Sequence, residues 1–423
     1  MITRIPSFAR LGRRALFALS AATLAAALGA CGGGGSSDDD ARVQATWVAA
    51  ASNFDSAGPF GPAPEAEYFE NQTLRHVMRV SAGGQQLRAK ISNVFGTGPL
   101  VIDNVHLARS SGDGGIDVST DTALKFGGQE RVTVPAGQEA WSDFADFAVQ
   151  TGDTLAVSMY VAGKTQKTTY HQLGVQNSYI VAGNAVSAST ITTANAPTEY
   201  YWVTALDVQR NGGKGTVVAF GDSITDGVAS TLNGNDRYPN VLARRLAADP
   251  GLENMSVVNS GISGNRILND VAGPRALDRF QRDVLAVSGV THVIILIGIN
   301  DIGFSGLVAE QNVSADQITA GLKTLVDRAK ARNIKVFLST LLPFDDAGAP
   351  YFSAAAEEKR QAVNTWIRSN AAAADSVIDL DRIIRDPSAP TRMQAAFDSG
   401  DHLHPNVAGY AAMAGAIDLN LFR

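Results

Sequence analysis

From Thr216 onward, short apolar runs alternate with stretches of helical character, and this alternation limits the folds open to the chain more than any other feature. "TVVAF", "SVVNS", "HVIILIG", "KVFLST" and "VIDL" each carry enough buried-type residues for a short strand. Between them lie segments such as "ADQITAGLKTLVDRAKARN" and "AAAEEKRQAVNTWIRSN", whose apolar positions recur with helical spacing. Strand, helix, strand in repetition implies right-handed crossover units and a parallel sheet covered on both faces. Five such runs predict a flavodoxin-like, doubly wound α/β domain over residues 215–423, with its site at the carboxyl ends of the strands.

Upstream the period changes. "QLRAKISN" sets Leu87, Ala89 and Ile91 against Arg88, Lys90 and Ser92, and "TLAVSMYV" brings Leu155, Val157, Met159 and Val161 to one face. Period-two patterning with turn punctuation and no amphipathic helix predicts an all-β, jelly-roll-like sandwich over residues 46–210. "AGG" at Ala82–Gly84 reads as a hairpin joining two of its strands, and "NGGKG" at Asn211–Gly215 marks the seam.

The first thirty residues read as an address. Arg4, Arg10, Arg13 and Arg14 precede "ALFALSAATLAAALGA", an uncharged run of 16 residues, short for a membrane span and right for a signal-peptide core. "GRRALF" resembles a twin-arginine signal. The run ends in Leu28-Gly29-Ala30-Cys31, which resembles the lipobox of bacterial lipoproteins and makes Cys31 the expected lipidation site. Residues 31–45, with "GGGGSSDDD", read as a flexible tether. The expectation is an exported protein, lipid-anchored to the cell envelope.

Cys31 is the single cysteine, so neither an internal disulfide nor a cysteine-based zinc site is available. Net charge is −6, and every charged residue among the first thirty is an arginine, so the remainder is more acidic still. Nucleic acid is not an expected partner.

Each strand of the second half runs into a polar cluster: Gly221-Asp222-Ser223, then "NSGISGNR" from Asn259 to Arg266, then Asn300-Asp301 in "GINDIG", and finally "DSGDHLHPNVAGY" with Asp401 and His404. A doubly wound sheet brings these turns together. Acyl transfer needs such a set. A serine hydroxyl is a weak nucleophile until a base takes its proton, a role open to His404. A carboxylate must hold that imidazole in one tautomer, a role open to Asp401. The oxyanion needs preorganised donors, for which the Ser223 and Gly264 backbone N–H groups and the Asn300 amide are the candidates.

The ordered blocks GDSI, SGN, GxND and DxxHP resemble the GDSL or SGNH hydrolase superfamily, bacterial esterases of flavodoxin-like fold, from Val217 to about Leu421. Ile224 stands where the family name has leucine. The resemblance implies a serine esterase with Ser223, His404 and Asp401 as triad and Ser223, Gly264 and Asn300 as oxyanion hole, needing no cofactor or metal. The upstream region is similar to the β-domain that precedes the catalytic domain in some bacterial carbohydrate esterases. Asp222, Asp226, Asn265, Arg266 and Asp301 read as supporting residues, Arg266 also as a possible substrate contact, and His402 as a loop residue. Polar flanks such as "STLNGNDRYPN", with Tyr238 and Phe304 as rings to stack on sugars, point to acetyl esters on a polysaccharide. The rivals are a GDSL-type lipase and a glycan-binding lipoprotein without activity.

Overall fold

The computed structural model describes residues 41–56, 64–194, 196–369 and 373–423. The expected signal peptide, Cys31 and most of the expected tether lie outside the described residues. In chain order the principal strands of the first half are β1 (Arg42–Val48), β2 (Gln72–Arg79), β3 (Gln86–Ser92), β4 (Asn104–Gly112), β5 (Glu139–Trp141), β6 (Thr154–Val161), β7 (Ser178–Ala182) and β8 (Val203–Arg210). They form two antiparallel sheets, ordered β1-β8-β3-β5 and β7-β2-β6-β4, the second continued by Gly115–Ile116. Leu87, Ala89 and Ile91 from the first sheet and Leu74, Leu155, Val157 and Met159 from the second share one core. This is a β-sandwich. The period-two reading holds for β3. In β6, Ala156 and Ser158 are buried as well, because that strand is central and covered on both faces.

Two local expectations give way to tertiary geometry. Ala82–Gly84 makes no hairpin: β2 and β3 belong to different sheets, and the glycines turn the chain from one to the other. A Cβ on Gly83 would stand 2.6 Å from the Val149 carbonyl oxygen, and one on Gly84 2.7 Å from Val208 Cβ. The glycines are there for close approach. Residues 42–45, at the end of the expected tether, are in strand β1, where pairing with β8 satisfies their backbone and Gln44 and Ala45 are buried.

The second half contains β9 (Gly215–Gly221), β10 (Met255–Gly261), β11 (Val290–Leu296), β12 (Lys335–Ser339) and β13 (Ser376–Ile378). All pair in parallel in the order β10-β9-β11-β12-β13, the flavodoxin-like order. Val217 to Phe220 in β9 are fully buried, as a central strand with both faces covered requires. Among the described residues eight α-helices accompany the sheet: α1 (Ser223–Asp226), α2 (Tyr238–Ala247), α3 (Ala276–Phe280), α4 (Ile299–Leu307), α5 (Ala315–Lys330), α6 (Ala354–Ser369), α7 (Leu380–Ile384) and α8 (Val407–Gly415). Helix α5 starts at a capping box, Ser314 with Gln317, and buries Ile318, Leu322, Leu325 and Ala329 along one face.

The seam is a packed boundary. Ala45 of β1 belongs to the core of the α/β half, its N–H donates to the Ser288 carbonyl at 2.9 Å, and Ser288 Oγ donates to Asp207 of β8 at 2.6 Å. All described residues lie in one compact unit. None of the described helices is long and apolar enough to cross a membrane.

Candidate active site

Strand β9 ends at Gly221, and the chain turns at once into the one-turn helix α1. Asp222 caps it, accepting from the Ile224 N–H at 3.1 Å, and Gly227 closes it in the left-handed conformation with φ 107°. Ser223 is therefore the first helical residue at the carboxyl edge of the sheet. Its Oγ lies 2.8 Å from His404 Nε2, and His404 Nδ1 lies 2.6 Å from Asp401 Oδ2. The carboxylate beside Nδ1 requires a proton there, which leaves the Nε2 lone pair facing the serine hydroxyl.

The loop carrying these two residues is built to hold them. Asp401 Oδ1 accepts the N–H groups of Leu403 at 2.9 Å and His404 at 2.8 Å. Burial works to raise the Asp401 carboxyl, but the His404 hydrogen bonds and charge together with the Leu403 amide outweigh it and hold it well below the usual carboxylate range. Asp398 repeats the device for His402, whose Nδ1 lies 2.6 Å from Asp398 Oδ2. His402 is exposed and occupied by that pair. Asn406 caps helix α8, accepting from the Gly409 N–H at 3.0 Å, so Pro405 stands just ahead of the helix.

The expected oxyanion donors come to the same place. Gly264 and Asn300 line one cavity with Ser223, His404 and Asp401. Gly264 has φ +77°, a left-handed backbone where an L side chain is strained, and a Cβ there would lie 2.8 Å from Ala272 Cβ. The Asn300 amide is gripped at both ends, donating to the Asn265 carbonyl at 3.1 Å and accepting from the Tyr351 hydroxyl at 2.8 Å. One Asn300 N–H remains. Tyr351 was not singled out by its sequence context; it lies on the irregular stretch before α6, and nothing local marks it.

Residues 219–412 match the model of the GDSL-like lipase/acylhydrolase family. Over these residues the chain is similar to GDSL-family hydrolases. Solved structures similar to it include a lipolytic protein of the G-D-S-L family from Desulfitobacterium hafniense, 23% identical over 48% of this chain and 96% of that one, TM-score 0.37. A GDSL-like lipase from Bacteroides thetaiotaomicron is 23% identical over 49% and 88%, TM-score 0.37. A catalytic mutant of an acetylxylan esterase from Geobacillus stearothermophilus is 25% identical over 50% and 95%, TM-score 0.38. The comparison with curated proteins found no match.

Within the α/β half, four of the supporting residues hold the site's turns in place. Asp301 accepts the Ile267 N–H at 2.8 Å and the Leu268 N–H at 3.0 Å, which pins the chain just past Gly264; burial pushes its carboxyl up to about 6 against these bonds. Asn265 donates to the Ala272 and Pro274 carbonyls and accepts from Arg279. Asp226 accepts from both the N–H and the hydroxyl of Ser263. Asp222 is buried, and desolvation pushes its carboxyl up to about 7.

The supporting reading of Arg266 holds, and the expectation for Tyr238 fails. Arg266 is buried away from the cavity, its guanidinium over the Phe304 ring and bonded to Gln311 and the Asp270 carbonyl. It is structural. Tyr238 is fully buried with its hydroxyl 3.2 Å from Thr225 Oγ1, so it offers no ring to a sugar. Phe304 does line the cavity. The polar run after Ser223 faces the sandwich: Asn233 Oδ1 accepts from Gln176 Nε2 and the Asn177 N–H, both at 2.8 Å.

The cavity measures about 930 Å³. Part of its lining is apolar and comes from the α/β half, with Val271, Phe304, Leu307 and Pro350. Another wall comes from the sandwich and includes Ser52, Asn53, Phe54, Tyr170, Gln172 and Glu199. Sequence reasoning missed this wall altogether, because its residues are scattered over short strands and loops. Among the described residues no group of three or more His, Cys, Asp or Glu side chains is placed to hold a metal ion.

Proposed function

We propose that the protein is a serine esterase that removes acetyl groups from ester-linked positions on a polysaccharide. The reading rests on one observation: Ser223, His404 and Asp401 stand in hydrogen-bonded sequence, at 2.8 Å and 2.6 Å, on the floor of a cavity of about 930 Å³. In this mechanism Ser223 Oγ attacks the ester carbonyl carbon while its proton passes to His404 Nε2. The oxyanion is held by the Ser223 and Gly264 N–H groups and the free N–H of Asn300, donors worth on the order of 10²–10³ in rate when removed singly. Collapse expels the sugar alkoxide, which takes the proton from His404, and leaves acetyl-Ser223. Water, deprotonated by His404, then releases acetate and restores the serine.

The carbohydrate part of the reading is supported by the sandwich wall. Hydroxyl and amide groups from Ser52, Asn53 and Gln172, a carboxylate from Glu199, and rings from Phe54 and Tyr170 are the side chains that sugars engage. The apolar wall favours a second reading, a lipase or general carboxylesterase with room for a longer acyl chain. A p-nitrophenyl ester series from acetate to decanoate, run beside acetylated xylan, separates the two. We expect release of acetate from the polysaccharide and best turnover of the acetate ester. Activity peaking at eight or more carbons, with no acetate released, overturns the carbohydrate reading. We further propose that Cys31 carries a lipid that tethers the enzyme to the cell envelope.

A further inference from the structure

We infer that His171 of the β-sandwich is a buried imidazolium that positions the oxyanion loop of the hydrolase domain. The inference rests on the esterase reading above, in which the Gly264 N–H is an oxyanion donor. His171 ends a short strand, Thr169–His171, that pairs with Ser52–Asn53 and Tyr200–Tyr201 at the edge of the sandwich. Its ring is buried and meets acceptors on both sides. Nδ1 lies 2.8 Å from the Ala50 carbonyl, while Nε2 lies 3.1 Å from the Leu173 carbonyl and 3.1 Å from Asp226 Oδ1. A neutral imidazole has one N–H and would turn a lone pair on one of these oxygens. Only the protonated ring donates from both nitrogens.

Asp226 makes the same demand from the other side. It is the last residue of α1, the turn that begins with Ser223, and it is 1% exposed. Oδ2 accepts from the Ser263 N–H at 2.9 Å and from Ser263 Oγ at 2.7 Å, immediately before Gly264. Oδ1 has no hydrogen-bond partner, because the His171 N–H points at Leu173; the contact across 3.1 Å is an ion pair. A buried carboxylate oxygen in that position is compensated by charge on the ring, 3.1 Å away. Asp226 thus ties the nucleophile turn to the oxyanion loop, and His171 holds Asp226 in place. His171 is a positioning residue.

The charged groups acting on the ring are Asp226, which raises its pKa, and Arg237, which opposes; the Tyr200 ring stacks beside it at 6.2 Å. Burial alone lowers the imidazole, but the Asp226 charge and the Ala50 carbonyl outweigh it, and the net direction is upward. With the folded value raised, the stabilisation is complete below the unfolded value of about 6.5 and is lost as pH rises through the folded one.

The test has two arms on the full-length protein. In the wild type, ¹⁵N-histidine NMR at pH 7.5 should show one histidine, absent from His171→Gln, with both ring nitrogens protonated. In kinetics on p-nitrophenyl acetate, His171→Gln should lower kcat roughly tenfold, less than outright loss of an oxyanion donor, with KM unchanged. It should also abolish a fall in wild-type kcat at alkaline pH. A neutral His171 at pH 7.5, or a variant with wild-type kcat and pH profile, overturns the inference. Asp226→Asn supplies the same kinetic comparison if His171→Gln does not fold. Retained activity in Ser223→Ala would instead sink the esterase reading, whatever the charge on His171.

Discussion

At the scale of the residue, the proposed chemistry depends on groups that act as one unit. Ser223→Ala and His404→Ala should each remove nearly all esterase activity, and the double variant should be little worse than either, because a base without its nucleophile has nothing to activate. Melting curves alongside the assays separate this from unfolding. Tyr351→Phe tests the Asn300 clamp. Losing one hydrogen bond worth about 0.5–1.5 kcal/mol frees the amide to rotate, so kcat should fall by roughly 2- to 10-fold while KM stays put. A rise in KM alone would place Tyr351 in ground-state binding instead.

At the scale of the element, helix α1 is a single turn that holds a buried carboxylate at its cap. The Asp222 carboxyl, pushed up to about 7 by burial, binds a proton in the folded state at pH values where the unfolded chain has released it. Stability is therefore lost as pH rises from about 4 toward 7 and levels off above that. Asp222→Asn keeps an acceptor for the Ile224 N–H and removes the penalty. Its melting temperature relative to wild type should be unchanged near pH 4 and higher by about 2 °C or more at pH 8. A difference independent of pH would mean that Asp222 is ionised throughout. Gly264 presents the opposite case, an element that tolerates no side chain: Gly264→Ala combines a φ of +77° with a contact on Ala272. It should lose activity at least as severely as removal of one oxyanion donor, about 10²-fold, with substrate binding less affected.

At the scale of the whole molecule, the sandwich is part of the site. Its strands lend the core Ala45, its loops hold the polar run after Ser223, and residues such as Phe54, Tyr170 and Glu199 line the cavity that holds the nucleophile. If that wall receives the sugar, Glu199→Gln and Phe54→Ala should raise KM several-fold for acetylated xylan and leave turnover of p-nitrophenyl acetate near wild type. Equal effects on both substrates would mean that the wall supports the fold only. The proposed tether makes a separate prediction: the wild type should sediment with membranes, and Cys31→Ser should not.

What the sequence determined by itself is local and periodic. Hydrophobic period two, then alternating strands and helices, follow from which side chains can be buried on a strand or on one helix face, so both halves of the fold were legible. So were Ser223, Gly264, Asn300, Asp401 and His404, because polar turns at consecutive strand ends must meet in a doubly wound sheet. Tertiary structure alone decided the rest. Ala82–Gly84 carries the signature of a hairpin, yet which sheet each flanking strand joins depends on partners more than sixty residues away. Tyr238 looks like a ligand in a polar stretch, but burial is a property of what packs over a residue. Tyr351, His171 and the sandwich wall have no sequence signal, since each matters only through contact with a distant segment.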